Sequence, residues 1–249
     1  LAIHHYKFSG ILNGVDYDIW NPETDRFIPS HYTVWNVEGK YPNKDALRER
    51  LWLRKDFKPL VAYVGRLDAQ KGVHLIQHAM FYALEHNAQF ILLGAGGDSG
   101  INNHFWHLKH YLNDNADCHM EIGFNEQLAH QIYAGADIVV VPSLFEPCGL
   151  AQMIAMRYGA VPVVRAVGGL VDTVFDRDFS DKLPEERNGY VFREADFAGL
   201  ESALSRAIGL WYDYPKEFRR LITNGMASDY SWARSGEHYL GIYDYTRVK

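Results

Sequence analysis

Pro59-Leu60-Val61-Ala62-Tyr63-Val64-Gly65-Arg66-Leu67-Asp68-Ala69-Gln70-Lys71-Gly72 passes from an apolar β-type run into a polar turn. Helical spacing follows from Gly72 to His86, with Val73, Ile76, Met80, Ala83 and Leu84 on one apolar stripe. The turn therefore lies at the carboxyl end of a strand and at the start of a helix. In an open α/β sheet that is where ligands bind. Two cations, Arg66 and Lys71, stand in it.

Working outward, the same alternation recurs. Strands are expected at Leu60 to Gly65, Gln89 to Leu93, His119 to Phe124, Ile138 to Val141 and Val161 to Val164, and helices at Ile101 to Leu112, Asn125 to Tyr133 and Leu150 to Tyr158. A last strand over Asn188 to Phe192 leads to helices near Phe197 to Trp211, Pro215 to Asn224 and Ala233 to Val248. This pattern predicts an α/β fold, a Rossmann-like parallel sheet with helices on both faces. Before Pro59, Ser9 to Leu12 reads as a strand, Asn13-Gly14-Val15-Asp16 as a turn, and Asn21-Pro22 to Gly39 as an irregular stretch rich in turn formers. Asp176 to Arg187 reads as a charged surface loop.

The 249 residues, 47% of them hydrophobic, suffice for a full core. A formal charge of -6 argues against nucleic acid and anionic membrane as partners. Two cysteines, Cys118 and Cys148, are too few for a disulfide framework and imply a reducing compartment. No apolar run is long enough to span a membrane, and Leu1 to Gly10 lacks the core of a secretory signal. The chain starts without methionine in mid-pattern and reads as a fragment.

A second polar turn, Phe145-Glu146-Pro147-Cys148-Gly149-Leu150, follows the Ile138 to Val141 strand about eighty residues beyond the first. Arg66 offers a planar fork for phosphate oxygens and Lys71 a compact charge. Glu146 is placed to accept hydrogen bonds from hydroxyls, beside a helix start that favours anions. Two cations and a carboxylate at neighbouring strand ends outline a site for a nucleotide sugar. Gly94-Ala95-Gly96-Gly97 does not complete GxGxxG, because Ser99 holds the last position. Gly168-Gly169-Leu170 is a further glycine turn whose amides suit an anion. His104, His107 and His110 share a helical spacing without a fourth ligand, so no metal site is expected. Cys148 has no base partner in sequence, and no Gly-x-Ser-x-Gly elbow supports a hydrolase.

Taken in order, Leu12-Asn13-Gly14-Val15-Asp16, Trp20-Asn21-Pro22, Gly65-Arg66-Leu67 with Gln70-Lys71-Gly72, Phe145-Glu146-Pro147-Cys148-Gly149-Leu150, Tyr158-Gly159 before Val161-Pro162-Val163-Val164-Arg165, Gly168-Gly169-Leu170 and Ser231-Trp232 resemble the ADP-glucose-using starch synthases and bacterial glycogen synthases. The resemblance covers essentially the whole chain. Asn36-Val37-Glu38-Gly39-Lys40 and Ile154-Ala155-Met156-Arg157-Tyr158-Gly159 look nearest to the cyanobacterial enzymes and related plant starch synthases. Transferases of UDP- and GDP-sugars with the same fold often have a second glutamate where Ile154 stands here.

The resemblance implies the C-terminal domain of a GT-B fold, two Rossmann-like halves facing a cleft. Residues 1–58 would follow the interdomain hinge and pack on the core, 59–230 would form the nucleotide-sugar-binding domain, and 231–249 a C-terminal helix. The N-terminal half, with its Lys-Thr-Gly-Gly-Leu motif and much of the acceptor site, is not in this sequence. The implied reaction transfers glucose from ADP-glucose to the non-reducing end of an α-1,4-glucan with retention, using no metal or organic cofactor. The isolated half is expected to be nearly inactive.

By match, Arg66 and Lys71 would neutralise the ADP phosphates and Glu146 would hold the donor glucose. Cys148, Gly149 and Leu150 would line the diphosphate and sugar, with Gly168 and Gly169 beside them. Asn13 would lie near the donor sugar at the cleft and Phe124 by the adenine. Implied partners are ADP-glucose or ADP, the glucan acceptor and the N-terminal GT-B half; the implied place is the cytoplasm in a bacterium or the plastid stroma in a plant. Three departures from the family pattern each remove a hydroxyl: Phe124 for tyrosine, Ala151 for threonine and Val167 for threonine. The alternatives are a non-catalytic ADP- or glucan-binding module and a transferase of another nucleotide sugar.

Overall fold

Apolar runs pair in parallel wherever both of their faces can be covered. The computed structural model describes residues 10–247. Its strands are β1 (Leu60–Val64), β2 (Gln89–Gly94), β3 (Cys118–Ile122), β4 (Ile138–Val141), β5 (Val161–Arg165) and β6 (Tyr190–Phe192), ordered β3-β2-β1-β4-β5-β6 in one sheet. β1, β2, β4 and β5 are buried along nearly their whole length, so no alternation of polar and apolar residues marks them. The order reverses between β1 and β4, where Val61 pairs with Ile138 on one side and with Phe90 on the other. That reversal opens a crevice at the carboxyl ends of β1 and β4. The Rossmann-like α/β architecture expected from the sequence is therefore present.

Helices α2 (Val73–Glu85), α3 (Ser99–Tyr111), α4 (Glu126–Gly135), α5 (Ala151–Arg157), α6 (Phe197–Asp213), α7 (Pro215–Ala227) and α8 (Trp232–Arg247) follow. Asp98, Asn125 and Asp196 cap α3, α4 and α6 through their side chains. The buried stripe of α2 is Leu75, Ile76, Ala79, Met80 and Ala83, rotated from the expected one. Val73 and Leu84 are only partly buried, because α2 packs against α6 as well as the sheet.

One helix has no counterpart in the sequence reading. α1 (Lys40–Arg50) buries Lys40, Asn43, Lys44 and Arg48 beside Leu47, so its inner face is polar and hydrophobic periodicity is silent. Each buried cation has hydrogen-bond partners, although burial still lowers the Lys40 ammonium to about 7 and Lys44 below its ordinary range. Lys40 Nζ donates to the carbonyls of Tyr133, Ala134 and Tyr158 at 3.0, 2.9 and 2.8 Å, filling acceptors at the ends of α4 and α5. Lys44 pairs with Asp137 at 2.6 Å, and Arg48 donates to Gln89 Oε1 at 2.7 Å.

The residues before α1 are tied down by a second buried polar group. Asp25 Oδ2 accepts from His130 Nδ1 at 2.7 Å and from the Tyr158 hydroxyl at 2.6 Å, while Trp20 stacks on the His130 ring at 3.9 Å. The strand expected over Ser9 to Leu12 is not formed by residues 10–12, and Ser9 lies outside the described residues. Val15 instead makes a single parallel bridge to Ser231, with Val15 N–H donating to the Tyr230 carbonyl at 2.7 Å. One bridge fixes that crossing without a ladder, and Gly14 permits it: a Cβ there would lie 2.4 Å from Trp232 backbone. The loop after Asp176 is anchored rather than merely solvated, since Arg206 grips Asp176 through two nitrogens at 2.8 and 3.0 Å.

Candidate functional site at the strand-order reversal

The turn after β1 is shaped by its own polar groups. Asp68 accepts the Lys71 amide, closing a single helical turn over Ala69–Lys71, and the Tyr63 hydroxyl donates to the Arg66 carbonyl at 2.5 Å. Gly72 then takes φ +73, and a Cβ there would stand 2.5 Å from the Pro142 carbonyl. The start of α2 is thereby pressed against the end of β4, which brings the two polar turns together. Gly96 does the same from β2: its Cβ would lie 1.8 Å from the Leu67 carbonyl. The glycine loop thus serves close packing beside Arg66-Leu67.

Lys71 Nζ meets Glu146 Oε2 at 2.5 Å. Ser143 Oγ donates to the same oxygen at 2.9 Å. Glu146 Oε1 has no partner among the described residues, yet it is not sealed from solvent. One carboxylate oxygen is thus spent on holding the pair and the other is left for a ligand. Lys71 retains further N–H donors as well. Arg66 is more exposed and pairs with Asp68 at 3.1 Å, so it does not touch Glu146.

The third wall is the turn after β5. Gly168 has φ +50, and a Cβ on it would sit 1.9 Å from the Glu146 carbonyl. Gly169 N–H donates to that carbonyl at 3.1 Å, and a Cβ on Gly169 would sit 2.3 Å from the Cys148 carbonyl. Gly149 has φ +77 over the Gln152 side chain. Gln152 donates to the Gly149 carbonyl at 2.8 Å and to Thr173 Oγ1 at 3.1 Å, which holds the start of α5. Leu150 and Phe145 are exposed at the rim.

Asn13 reaches this wall from the other end of the sequence: its amide donates to Cys148 Sγ at 3.3 Å. Burial pushes the Cys148 thiol above its ordinary range, so the sulfur accepts this bond as a thiol rather than acting as a thiolate. Phe124 stands apart, 91% exposed after β3 with β2 between it and β1. The structure thus brings together Lys71, Glu146, Cys148, Gly149, Gly168, Gly169 and Asn13, with Arg66 alongside, and leaves Phe124 at the far edge.

Four supporting residues were given no role in the sequence reading. Ser143 orients Glu146. Arg165 donates to the carbonyls of Ser143 at 2.8 Å and Leu144 at 2.6 Å. The Gln70 carbonyl accepts from Leu144 N–H at 2.8 Å, and Asp68 sets both Lys71 and Arg66. Only Asp68 had a visible signal, a capping residue before a polar turn. Of the histidines weighed for a metal, His104 is bound to Gln77 at 2.7 Å and His110 to its own helix, and among the described residues no group of three ligands is assembled.

The model of the family described as "Glycosyl transferases group 1" matches residues 58–209, which contain both polar turns and the glycine turn. The chain belongs to the glycosyl transferases group 1 family. Among curated relatives, a glycogen synthase 1 of Synechococcus sp. (strain JA-3-3Ab) is 62% identical over 99% of the chain and 50% of the relative. A glycogen synthase 2 of Methylococcus capsulatus is 59% identical over the full chain and 51% of the relative. The chain spans about half the length of the curated relatives it matches. The catalytic domain of starch synthase IV from Arabidopsis thaliana, bound to ADP and acarbose, superposes with a TM-score of 0.96 at 40% identity, over all of this chain and 51% of that one. The resemblance and the GT-B domain read in the sequence are thereby met. No helix among the described residues is long and apolar enough to cross a membrane.

Proposed function

We propose that this transferase chain is the donor-binding half of a retaining glucosyltransferase that moves glucose from ADP-glucose to the non-reducing end of an α-1,4-glucan. The observation that carries the reading is the Lys71–Glu146 pair at the strand-order reversal, with Oε1 left open and the Gly168-Gly169 turn behind it. As the bond from anomeric carbon to diphosphate breaks, negative charge grows on the phosphate oxygens. Lys71, with Arg66 beside it, stabilises that charge. Glu146 Oε1 accepts from donor hydroxyls while Oε2, held by Lys71 and Ser143, fixes its direction. Gly149, Leu150, Gly168 and Gly169 let the backbone approach the ligand closely. Phe124, apart from the pair and beyond β2, would offer a stacking face to the adenine at the far end of the nucleotide.

The same reading gives the acceptor and a second Rossmann-like half as partners. Exposed Phe145 and Leu150, beside the open site, suit a surface that a facing half covers. Leu240 and Tyr243, 62% and 61% exposed on α8, give it a further apolar footing. The place of action would be the bacterial cytoplasm or the plastid stroma.

Kinetics test this in a two-half protein, made by carrying this chain on the remaining half of the Synechococcus relative. Lys71→Ala should lower kcat about 10²- to 10³-fold with the fold intact. Turnover equal to wild type would remove Lys71 from the reaction.

A further inference from the structure

A second feature lies beside β3, the outer strand of the sheet. α1 ends with Leu53 N–H donating to the Arg48 carbonyl at 2.8 Å and Trp52 N–H to the Glu49 carbonyl at 3.3 Å. This pair of bonds places a left-handed residue just after the helix, a position glycine normally fills. Here Trp52 fills it, at φ 55. A bulky side chain in that conformation carries a backbone cost, and outliers of this kind gather at ligand contacts. Trp52 recovers nothing by burial, because it is 87% exposed.

Trp52 borders a cavity of about 430 Å³ shared with Leu51, Lys109, Asn113, Asn115, His119 and Glu121. Its walls are held rigidly. Arg54 N–H donates to the Ala116 carbonyl at 2.8 Å, and Lys58 pairs with Asp117 at 2.7 Å. Along the floor, Glu121 lies 3.5 Å from Lys109 and 3.8 Å from His119. Burial, and then the Lys109 charge, hold the His119 imidazole below its ordinary range, while bonds to Glu121 and the Leu51 backbone fix its ring in the wall. An exposed aromatic plate beside amides, an imidazole and a carboxylate matches a pyranose, which has an apolar C–H face and a rim of hydroxyls. An anion would meet Glu121 and Asp114, and a flat apolar partner would strand these polar groups.

We propose that this cavity binds a stretch of α-1,4-glucan, with the Trp52 ring under one pyranose face and Asn113, Asn115, His119 and Glu121 at its hydroxyls. The sugar class rests on the proposed activity; the site does not share its residues. The cavity runs along the outer strand β3, from Cys118 to Glu121, whereas the Lys71–Glu146 pair stands at the ends of β1 and β4, with β2 between. There the site acts as an anchor that keeps a polymer near the enzyme, raising its effective concentration.

Affinity electrophoresis in amylopectin and titration with maltoheptaose, both on this chain, test the proposal. Trp52→Gly should weaken binding at least about tenfold, as loss of a stacked aromatic anchor does, while raising Tm by relieving the left-handed residue. Trp52→Phe should keep most of the affinity. In the two-half protein, Trp52→Gly should raise KM for glycogen several-fold and leave KM for ADP-glucose and turnover on maltotriose unchanged. Unaltered glucan binding in Trp52→Gly would overturn the site and leave the transfer activity untouched. A dimer that Trp52→Gly dissociates would overturn it too, assigning the indole to a contact between copies. Loss of transfer in the unmutated two-half protein, with Trp52-dependent binding retained, would instead count against the donor reading alone.

Discussion

Glu146 has two oxygens with different duties. Oε2 carries the contacts from Lys71 and Ser143, and Oε1 is open. Ser143→Ala should therefore loosen the carboxylate without removing it, raising KM for donor more than it lowers kcat; an equal fall in kcat and kcat/KM would assign Ser143 to the transition state instead. Gly168 admits no side chain at all. Gly168→Ala adds about 1–2 kcal/mol for a left-handed residue and drives a methyl into the Glu146 carbonyl. Thermal melting should show the loss of stability, and ADP titration a fall in affinity; wild-type values in both would show that the turn moves aside. The residue types of this site were legible because charged and glycine residues interrupt apolar runs at strand ends. Ser143 and Arg165 were not, since a serine and an arginine beside a strand are ordinary until the fold aims them at one carboxylate and two carbonyls.

At the scale of elements, the strands and most helices could be read because burial on both faces leaves uninterrupted apolar runs and one-sided burial leaves a 3.6-residue period. α1 could not, because its inner face is Lys40, Asn43, Lys44 and Arg48. Polar burial has no periodic hydrophobic signature, and its logic emerges only with the acceptors in place. Lys40→Met would leave the Tyr133 and Ala134 carbonyls without this donor, each worth about 1–3 kcal/mol, while the Tyr158 carbonyl keeps the Tyr32 hydroxyl at 2.8 Å. Urea unfolding should show a loss of at least about 2 kcal/mol by that count, whereas a neutral result would mean that relief from burying the ammonium offsets the lost bonds. Asp25 gives this segment a pH dependence. Burial alone would raise its carboxyl, but the bonds from His130, Tyr158 and the Phe27 amide outweigh burial and hold it below the ordinary 3.8. The stability it contributes is therefore full above that ordinary value and is lost as pH falls through the lowered one. Stability curves of wild type and Asp25→Asn should stand apart at pH 7 and converge in acid; a constant gap would exclude the carboxylate as the cause.

Across the whole molecule, the parallel sheet turns scattered sequence into two working edges. The carboxyl edge gathers Asn13, Lys71, Glu146 and Gly169 from segments more than a hundred residues apart at the extremes. The flank of the outer strand β3 carries the Trp52 cavity. Asn13 meets Cys148 only because the start of the described chain is bridged to Ser231 beside α8, a long-range contact that no local pattern encodes. The central claim is that the carboxyl edge holds the diphosphate of an adenine nucleotide. Calorimetric titration of the two-half protein with ADP and with UDP, without added metal, tests it most directly. The account predicts that ADP binds in preference to UDP and that Arg66→Ala and Lys71→Ala each weaken ADP by at least about tenfold, the loss expected of a charge-assisted contact. Equal affinity for the two nucleotides, or ADP binding that survives both substitutions, would contradict it.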